Sequence, residues 1–232
     1  MKKLGSLSVF FPTYNDSFIL PYFLTRLYSV LPTIAKKYEV IAVNDGSQDN
    51  TQEMLLMLQN KLSYLKIIQH KKNIGYGAAI RSGIEACKYE WVFYTDSDGQ
   101  YDPIELKKFV ARVTPKIDVI QGIKLKRNDN PMRQILGYLY NASVHVAYPI
   151  PVHDVDCDFR LIRRKLLKKI SLTADSGMIC LELVLALTKA GAVFTELPVT
   201  HYPRIIGKSR FFRPIPLFKT AVEQYRFYRR RK

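Results

Sequence analysis

Cysteine is scarce in this 232-residue chain: Cys87, Cys157 and Cys180 stand alone, and no two share a Cys-x-x-Cys spacing. An odd count without that spacing excludes a disulfide framework and a cysteine-ligated zinc cluster, and leaves ordinary reduced thiols. Histidine is nearly as sparse. His70, His145, His153 and His201 never fall at helical spacing, so no histidine metal pair is written into the pattern, and each is assigned a structural or surface role. Long apolar runs are missing too: nothing approaches the ~18 uncharged apolar residues of a membrane-spanning helix, and no secretory signal precedes the first apolar run. The expected location is cytoplasmic, peripheral on the cytoplasmic face of a membrane.

Acid is the minority charge. Twenty Asp and Glu face 36 Lys and Arg, for a net charge of +16. The excess is uneven, because residues 204–232 hold ten Lys/Arg against Glu223 alone, a local net charge of +9. Such a segment calls for an anionic partner, whether nucleic acid, an anionic membrane surface or a phosphorylated substrate. Phe211, Phe212, Leu217, Phe218, Tyr225, Phe227 and Tyr228 interleave with the basic residues, as in a helix lying in a membrane interface; a solvated basic helix is the other reading.

What is present is enough apolar sequence, 47%, for a sizeable core. Runs of strand length at Leu7 to Phe11, Val40 to Val43, Leu65 to Ile68, Trp91 to Tyr94 and Val119 to Ile120 alternate with stretches long enough for crossover helices. That is the βαβα order of a parallel sheet. Met54, Leu55, Leu58 and Leu62 recur at helical spacing after a candidate cap at Asp49 to Thr51, and Ala78 to Ile80 open a second helix after a Gly pair. The order weakens after Gly122, where Lys124, Lys126, Arg127 and Arg133 surround an Asn-Asp-Asn-Pro turn.

The strand ends carry the chemistry. Asp96-Ser97-Asp98-Gly99-Gln100 follows the run Trp91 to Tyr94, and in open α/β sheets ligands sit beyond the carboxyl ends of strands. Two carboxylates one residue apart suit a hard cation whose shell substrate phosphates complete, although the same pair also describes a turn or a helix cap. After the first strand, Pro12-Thr13-Tyr14-Asn15-Asp16 offers a ring, Tyr14, for stacking on a base, with Asp16 readable as a helix N-cap. After the second, Asp45-Gly46-Ser47 places a carboxylate where base or ribose donors would meet it. After the third, Asn73-x-Gly75-x-Gly77 lets backbone approach a ligand, with Arg81 one turn on; it is neither a dinucleotide fingerprint nor a P-loop. A nucleotide diphosphate with a divalent metal is the economical common ligand, and a pure nucleic-acid module gives no reason for four such motifs.

Farther along, Asp154, Asp156 and Asp158 fall at alternate positions, so an extended backbone would set all three on one side as candidates for general-base or acceptor-positioning work. A solvated acidic edge balanced by Arg160, Arg163 and Arg164 is the alternative. His201 to Arg210 is a basic loop able to bring Arg204 and Lys208 over phosphates.

Taken in order, these six motifs resemble those of glycosyltransferase family 2 enzymes with the GT-A fold, above all the polyprenol-phosphate sugar transferases of the dolichol-phosphate mannose synthase type. The resemblance implies a Rossmann-like, mostly parallel central sheet flanked by helices, with a smaller acceptor-side region. Residues 1–122 would form the nucleotide-sugar half, 123–210 the acceptor half of the same domain, and 211–232 a basic aromatic helix or tail. It implies that Pro12, Tyr14 and Asp45 hold the nucleoside, Gly75 and Arg81 shape the diphosphate end, and Arg204 with Ser209 covers the donor. Asp96 and Asp98, with Gln100, would bind Mg²⁺ or Mn²⁺, and Lys124 and Arg133 would meet an acceptor phosphate.

The implied reaction is an inverting transfer from a UDP- or GDP-sugar to a polyprenyl phosphate or other membrane-associated acceptor. Arg229-Arg230-Arg231-Lys232 with its aromatic neighbours, as a peripheral anchor, or a membrane-protein partner would stand in for the membrane segments that such enzymes often carry. Two departures matter. Gly122-Ile123-Lys124 stands where many relatives read Gly-Ser-Arg, and Cys157-Asp158-Phe159-Arg160 where they read Ser-Gly-Phe-Arg. The added carboxylate fits a hydroxyl acceptor that needs a base equally well, with Asp154 the leading candidate. A sugar nucleotidyltransferase is a more distant alternative, since Phe11 to Asp16 contains neither the Gly nor the basic residue of its phosphate loop.

Overall fold

A computed structural model describes residues 3–124, 131–204 and Glu223. Strands β1 (Leu4–Thr13), β2 (Ala35–Asn44), β3 (Leu65–Gln69), β4 (Trp91–Thr95), β5 (Val119–Lys124), β6 (Phe159–Arg163) and β7 (Phe194–Val199) form one sheet in the order β3-β2-β1-β4-β6-β5-β7. All run the same way except β6, which is antiparallel to both of its neighbours. The boundary expected at 122/123 therefore falls inside β5, and β6 returns between β4 and β5, so the two halves share one sheet.

Burial on both faces explains the continuous apolar strands. Side chains alternate across the sheet. Val9, Phe11, Val40, Ala42, Trp91 and Phe93 pack against helices α1 (Leu20–Ile34) and α2 (Thr51–Lys61). Phe10, Ile41, Val43, Val92 and Tyr94 face α3 (Tyr76–Ala86) and a later helix, Ile179–Lys189. Phe10 and Tyr94 stack at 5.2 Å across β1 and β4. Gly83 lets α3 settle onto that stack, because a Cβ there would come within 2.2 Å of the Phe10 ring.

Helix α4 (Leu106–Arg112) follows a 3-10 turn, α5 (Pro131–Ala147) follows β5, and α6 (Arg164–Leu167) and α7, the Ile179–Lys189 helix, complete the described helices. Among the described residues no helix is long and apolar enough to cross a membrane. All three cysteines are buried and free, as expected, and burial pushes the Cys87 and Cys157 thiols up to about 12. They remain protonated at neutral pH.

Candidate active site

Parallel strands deliver their carboxyl ends to one edge of the sheet, and the entry to antiparallel β6 lies at that edge too, since Phe159 pairs with Thr95. The loops after β1, β2, β3 and β4 and the turn before β6 therefore meet without any long excursion.

The first two loops are laced together. Asn15 adopts a left-handed conformation, φ 56°, that small polar side chains tolerate. Its N–H donates to Ser47 Oγ at 2.9 Å, and its Oδ1 accepts from Gln48 N at 2.8 Å. Asp49 accepts from Ser17 N and Oγ and from Thr51 N, so it clamps two loops together besides stabilising the start of α2. Asp16 is not the side-chain cap of α1. That helix starts at Leu20, and Asp16 offers it only a carbonyl, to Ile19 N at 3.0 Å and Leu20 N at 3.3 Å. Its carboxyl accepts from Thr13 Oγ1, Tyr14 N and Ser97 Oγ. Burial, with Asp98 adding to it, pushes that carboxyl above its usual range. Pro12, at the exit of β1, accepts from Ser97 Oγ at 3.0 Å, which ties the exits of β1 and β4. Tyr14 lies beside it, partly exposed.

Asp45, expected to receive donors from a base or ribose, receives them from the protein. Ile74 N and His70 Nδ1 reach Oδ1 at 3.0 and 2.8 Å, and Gly75 N reaches Oδ2 at 3.0 Å. His70 Nε2 in turn meets Ser82 Oγ at 2.9 Å. The Gly75 and Gly77 expectation is also redirected. Gly75 has φ +110°, and a Cβ there would lie 2.3 Å from the Asp175 carbonyl oxygen; at Gly77 it would lie 2.2 Å from that of Ala174. The backbone they approach is the 174–175 segment. Arg81 follows suit, with its guanidinium on the Ala174 carbonyl and the Asp175 carboxylate.

Asp96 and Asp98 stand at the end of β4, as expected. Asp96 Oδ1 accepts from Tyr76 OH at 2.9 Å. Burial, then Asp158 and Asp98, push its carboxyl well above the usual range, against the pull of Tyr76 and Arg204. Asp98 Oδ1 accepts from Gln100 N at 3.0 Å, while Oδ2 is ion-paired with the Arg204 guanidinium. Gln100 turns its amide to the Tyr202 carbonyl at 3.2 Å, and Tyr202 N returns a bond to the Gln100 carbonyl at 2.8 Å. Arg204, expected over the donor phosphates, stands on the carboxylate pair itself, and Gln100 anchors the segment that brings it.

The 152–158 segment corrects the picture of three aligned carboxylates. It is a turn, because its carbonyls are drawn inward: Gln121 Nε2 donates to the Asp154 and Cys157 carbonyls, and buried Arg160 to those of Val155 and Cys157. The carboxylates diverge. Asp154 is buried and ion-paired with Lys124, whose Nζ also donates to the Asp156 carbonyl at 2.8 Å. Asp158 points to the β4 side, accepting from Tyr94 OH and Cys180 Sγ, both at 3.3 Å, and its charge reaches Asp96. Arg160 and Arg163 do not balance an acidic edge. Arg160 serves carbonyls, and β6 carries Arg163 to the far edge of the sheet, where it meets the Ile117 and Thr114 carbonyls and Glu90. The Arg133 side chain, Lys126, Arg127, Lys208, Ser209 and, Glu223 apart, the 211–232 segment lie outside the described residues.

Asp16, Asp96, Asp98 and Asp158 crowd one spot, and Arg204 is the cation that the described contacts bring to them. Among the described residues no cluster of three or more Asp, Glu, His or Cys is arranged to hold a metal by itself. A carboxylate pair at a strand end, crowded by two further acids against one guanidinium and with an incomplete protein shell, fits a Mg²⁺- or Mn²⁺-type cation that takes its remaining ligands from substrate phosphates.

A mostly parallel seven-stranded sheet with one antiparallel strand, and an Asp-x-Asp pair at the end of its fourth strand, defines a GT-A sugar-transferase architecture. Residues 8–171 match Glycosyl transferase family 2, and the chain belongs to that family. It is 28% identical over 211 residues to the undecaprenyl-phosphate 4-deoxy-4-formamido-L-arabinose transferase of Pseudomonas fluorescens, covering 88% of this chain and 60% of that protein. The Aeromonas hydrophila transferase of the same name is 30% identical over 210 residues, with coverage of 88% and 62%. The chain therefore spans about three fifths of these relatives.

Among solved structures, glucosyl-3-phosphoglycerate synthase of Mycobacterium tuberculosis in complex with Mn²⁺, UDP-glucose and phosphoglyceric acid superposes with a TM-score of 0.70 at 14% identity, covering 88% of this chain and 73% of that one. A Pyrobaculum calidifontis mannosyltransferase in complex with GDP-Man and Mn²⁺ gives 0.63 at 17% identity, covering 95% and 64%. The expected fold and family are borne out.

Sequence reading missed Tyr76, Asp16, Ser97 and His70 as members of the site. Tyr76 was visible only as the residue between two glycines, and His70 follows β3 just as Asp45 and Asp96 follow theirs, a positional signal that outranks its isolation in sequence.

Proposed function

We propose that this chain transfers a sugar from a nucleotide-diphosphate sugar to a polyprenyl phosphate, inverting the anomeric carbon. The observation that carries the reading is the Asp96/Asp98 pair with Arg204 at the end of β4, in a chain whose curated relatives are named as undecaprenyl-phosphate sugar transferases. Tyr14 and Pro12 would take the base, and the loop that Asp45 braces would take the ribose. Asp96 and Asp98 would hold Mg²⁺ or Mn²⁺, which when bound supplies positive charge against the departing diphosphate. Arg204 would stabilise the same developing charge through its guanidinium donors.

The acceptor phosphate oxygen attacks the anomeric carbon as the bond to the nucleotide diphosphate breaks, and the diphosphate leaves with the electron pair. A phosphate diffuses in already ionised and needs no base. Lys124 and Arg133 would orient it, with Lys124 set by its pairing to Asp154. The basic, aromatic 204–232 segment would bring the domain to an anionic membrane surface, alone or beside a membrane-protein partner, on the cytoplasmic side. Nucleic acid is not among the proposed partners.

A hydroxyl acceptor is the second reading, favoured by Asp158, a carboxylate beside the Asp96 site where a base would be needed. Asp154, the leading candidate from sequence, yields that role to Asp158 because its carboxylate is buried against Lys124. Radiolabelled UDP- and GDP-sugars, offered with Mg²⁺ or Mn²⁺ and polyprenyl phosphate, test the choice. Label entering the butanol phase with wild type and not with Asp98→Ala supports the lipid-phosphate reading. Donor hydrolysis without lipid label moves the hydroxyl reading ahead, and no nucleotide-sugar binding sinks both.

A further inference from the structure

A cation of the protein itself stands on the metal-type ligand. The Arg204 guanidinium pairs with Asp98 Oδ2, and Gln100 N occupies Oδ1, so both oxygens of a nearly buried carboxylate are engaged. Gln100, the third residue expected on the metal, is tied through its amide Nε2 to the Tyr202 carbonyl, two residues before Arg204. One short segment, held by the reciprocal Gln100–Tyr202 bonds and the Tyr101–His201 ring contact at 5.3 Å, thus ties Gln100 and sets Arg204 on Asp98 at once.

Arg204 is the charge compensation that the described contacts bring to the crowded acids, through its pair with Asp98. Yet it is incompletely satisfied. Its Nε is buried and finds no acceptor among the described residues, a gap that an anionic oxygen would fill.

We propose that Arg204 holds the metal's place on Asp98 in the ligand-free protein, so that the divalent cation binds together with a nucleotide diphosphate rather than before it. The inference rests on the donor half of the proposed function. A bare cation must displace a paired guanidinium and leave it, a like charge, beside the site with a further unmet donor. A diphosphate changes that balance, because its oxygens accept from Arg204, including Nε, while they complete the cation's shell. Arg204 then moves from carboxylate to phosphate, and Gln100 is released with the same segment.

The test is Mn²⁺ binding, followed by the electron paramagnetic resonance signal of free aqueous Mn²⁺, with no acceptor present. Wild type, Arg204→Gln, Arg204→Lys and Asp98→Asn are compared with and without UDP or GDP, after circular dichroism melts establish that each is folded. Arg204→Gln is expected to bind bare Mn²⁺ roughly tenfold or more tighter than wild type, with Arg204→Lys between them. Nucleotide should tighten Mn²⁺ binding strongly in wild type and only slightly in Arg204→Gln, and Asp98→Asn should bind weakly throughout. Equal affinity of wild type and Arg204→Gln for bare Mn²⁺ overturns the proposal, as does undiminished Mn²⁺ binding by Asp98→Asn. A protein that behaves as expected here but transfers no sugar to lipid leaves it standing and sinks only the acceptor assignment.

Discussion

Asp158 is the residue at which the two acceptor readings part. An acceptor hydroxyl must lose its proton as it attacks, and a positioned base typically contributes 10²–10⁴-fold to such a step, whereas an ionised phosphate gains little from one. Asp158→Asn keeps an oxygen to accept from Tyr94 OH and removes the charge. With polyprenyl phosphate as acceptor, kcat should change by less than about tenfold, and relief of like charge beside Asp96 offsets part of any loss. A fall of roughly 10² or more, with the KM for donor unchanged, would reject the phosphate acceptor.

Gly75 makes a different kind of demand. Its φ of +110° and the 2.3 Å approach to the Asp175 carbonyl oxygen leave no room for a side chain, and its N–H is one of the donors that fix Asp45. Gly75→Ala should cost about 1–3 kcal/mol and weaken UDP or GDP binding. Urea denaturation alongside nucleotide titration checks both, and a variant as stable as wild type would contradict the geometry.

At the scale of elements, a buried carboxylate far from the chemistry joins three strands and the turn before β4. Glu39 on β2 accepts from Ser8 Oγ on β1 at 2.7 Å, from Lys66 Nζ on β3 at 2.9 Å and from Lys88 N at 3.0 Å. Burial pushes its carboxyl up, but these bonds outweigh burial and hold it below the usual range. A carboxyl lowered in the fold contributes stability that is present above its unfolded value, near 4.3, and lost as pH falls through the folded value. Glu39→Gln should therefore destabilise by about 1–3 kcal/mol at pH 7, with the gap to wild type narrowing below about pH 4. Equal stability at pH 7, or a constant gap across that range, would refute the account.

Of the five strands legible in the sequence, β1, β2, β4 and β5 are interior to the sheet and largely buried, while β3 is an edge strand that its apolar run Leu65 to Ile68 still betrayed. Leu7 to Phe11 and Trp91 to Tyr94 lie inside β1 and β4, although β1 and β2 prove longer than their apolar runs. β7, the other edge strand, escaped because Thr195, Glu196 and Pro198 interrupt its apolar residues, a Pro that an edge tolerates. β6 escaped because the turn before it breaks the alternation of Asp154, Asp156 and Asp158, so that a pattern resembling a polar strand is the approach to an apolar one. In the site, the Asp-x-Asp pair was legible from its position after a strand. Arg81 was misplaced because sequence gives a residue's turn of helix but not the segment opposite it, which here is Ala174 and Asp175.

For the whole molecule, charge and topology divide the work. The sheet gathers the acids that the metal ion of a metal–diphosphate ligand would meet, while more than half of the net charge of +16 lies in residues 204–232. The basic excess is thus concentrated toward one end of the chain, while the acids of the site sit at strand ends. A cluster ending in Arg229, Arg230, Arg231 and Lys232, with Tyr225, Phe227 and Tyr228 just before it, should act on an anionic bilayer chiefly through its charge. Each basic residue near such a surface contributes about 1 kcal/mol, an attraction that decays over a Debye length of roughly 10 Å at 0.1 M salt. Replacing those four residues with Gln should therefore weaken binding to vesicles containing anionic phospholipid by roughly 10²–10³-fold at low salt. Raising the salt should weaken wild type toward the variant, and Mn²⁺–nucleotide binding should be unaffected. Vesicle co-sedimentation across a salt series measures this directly. Binding that survives both the substitutions and high salt would mean that apolar insertion, not charge, holds the protein at the membrane.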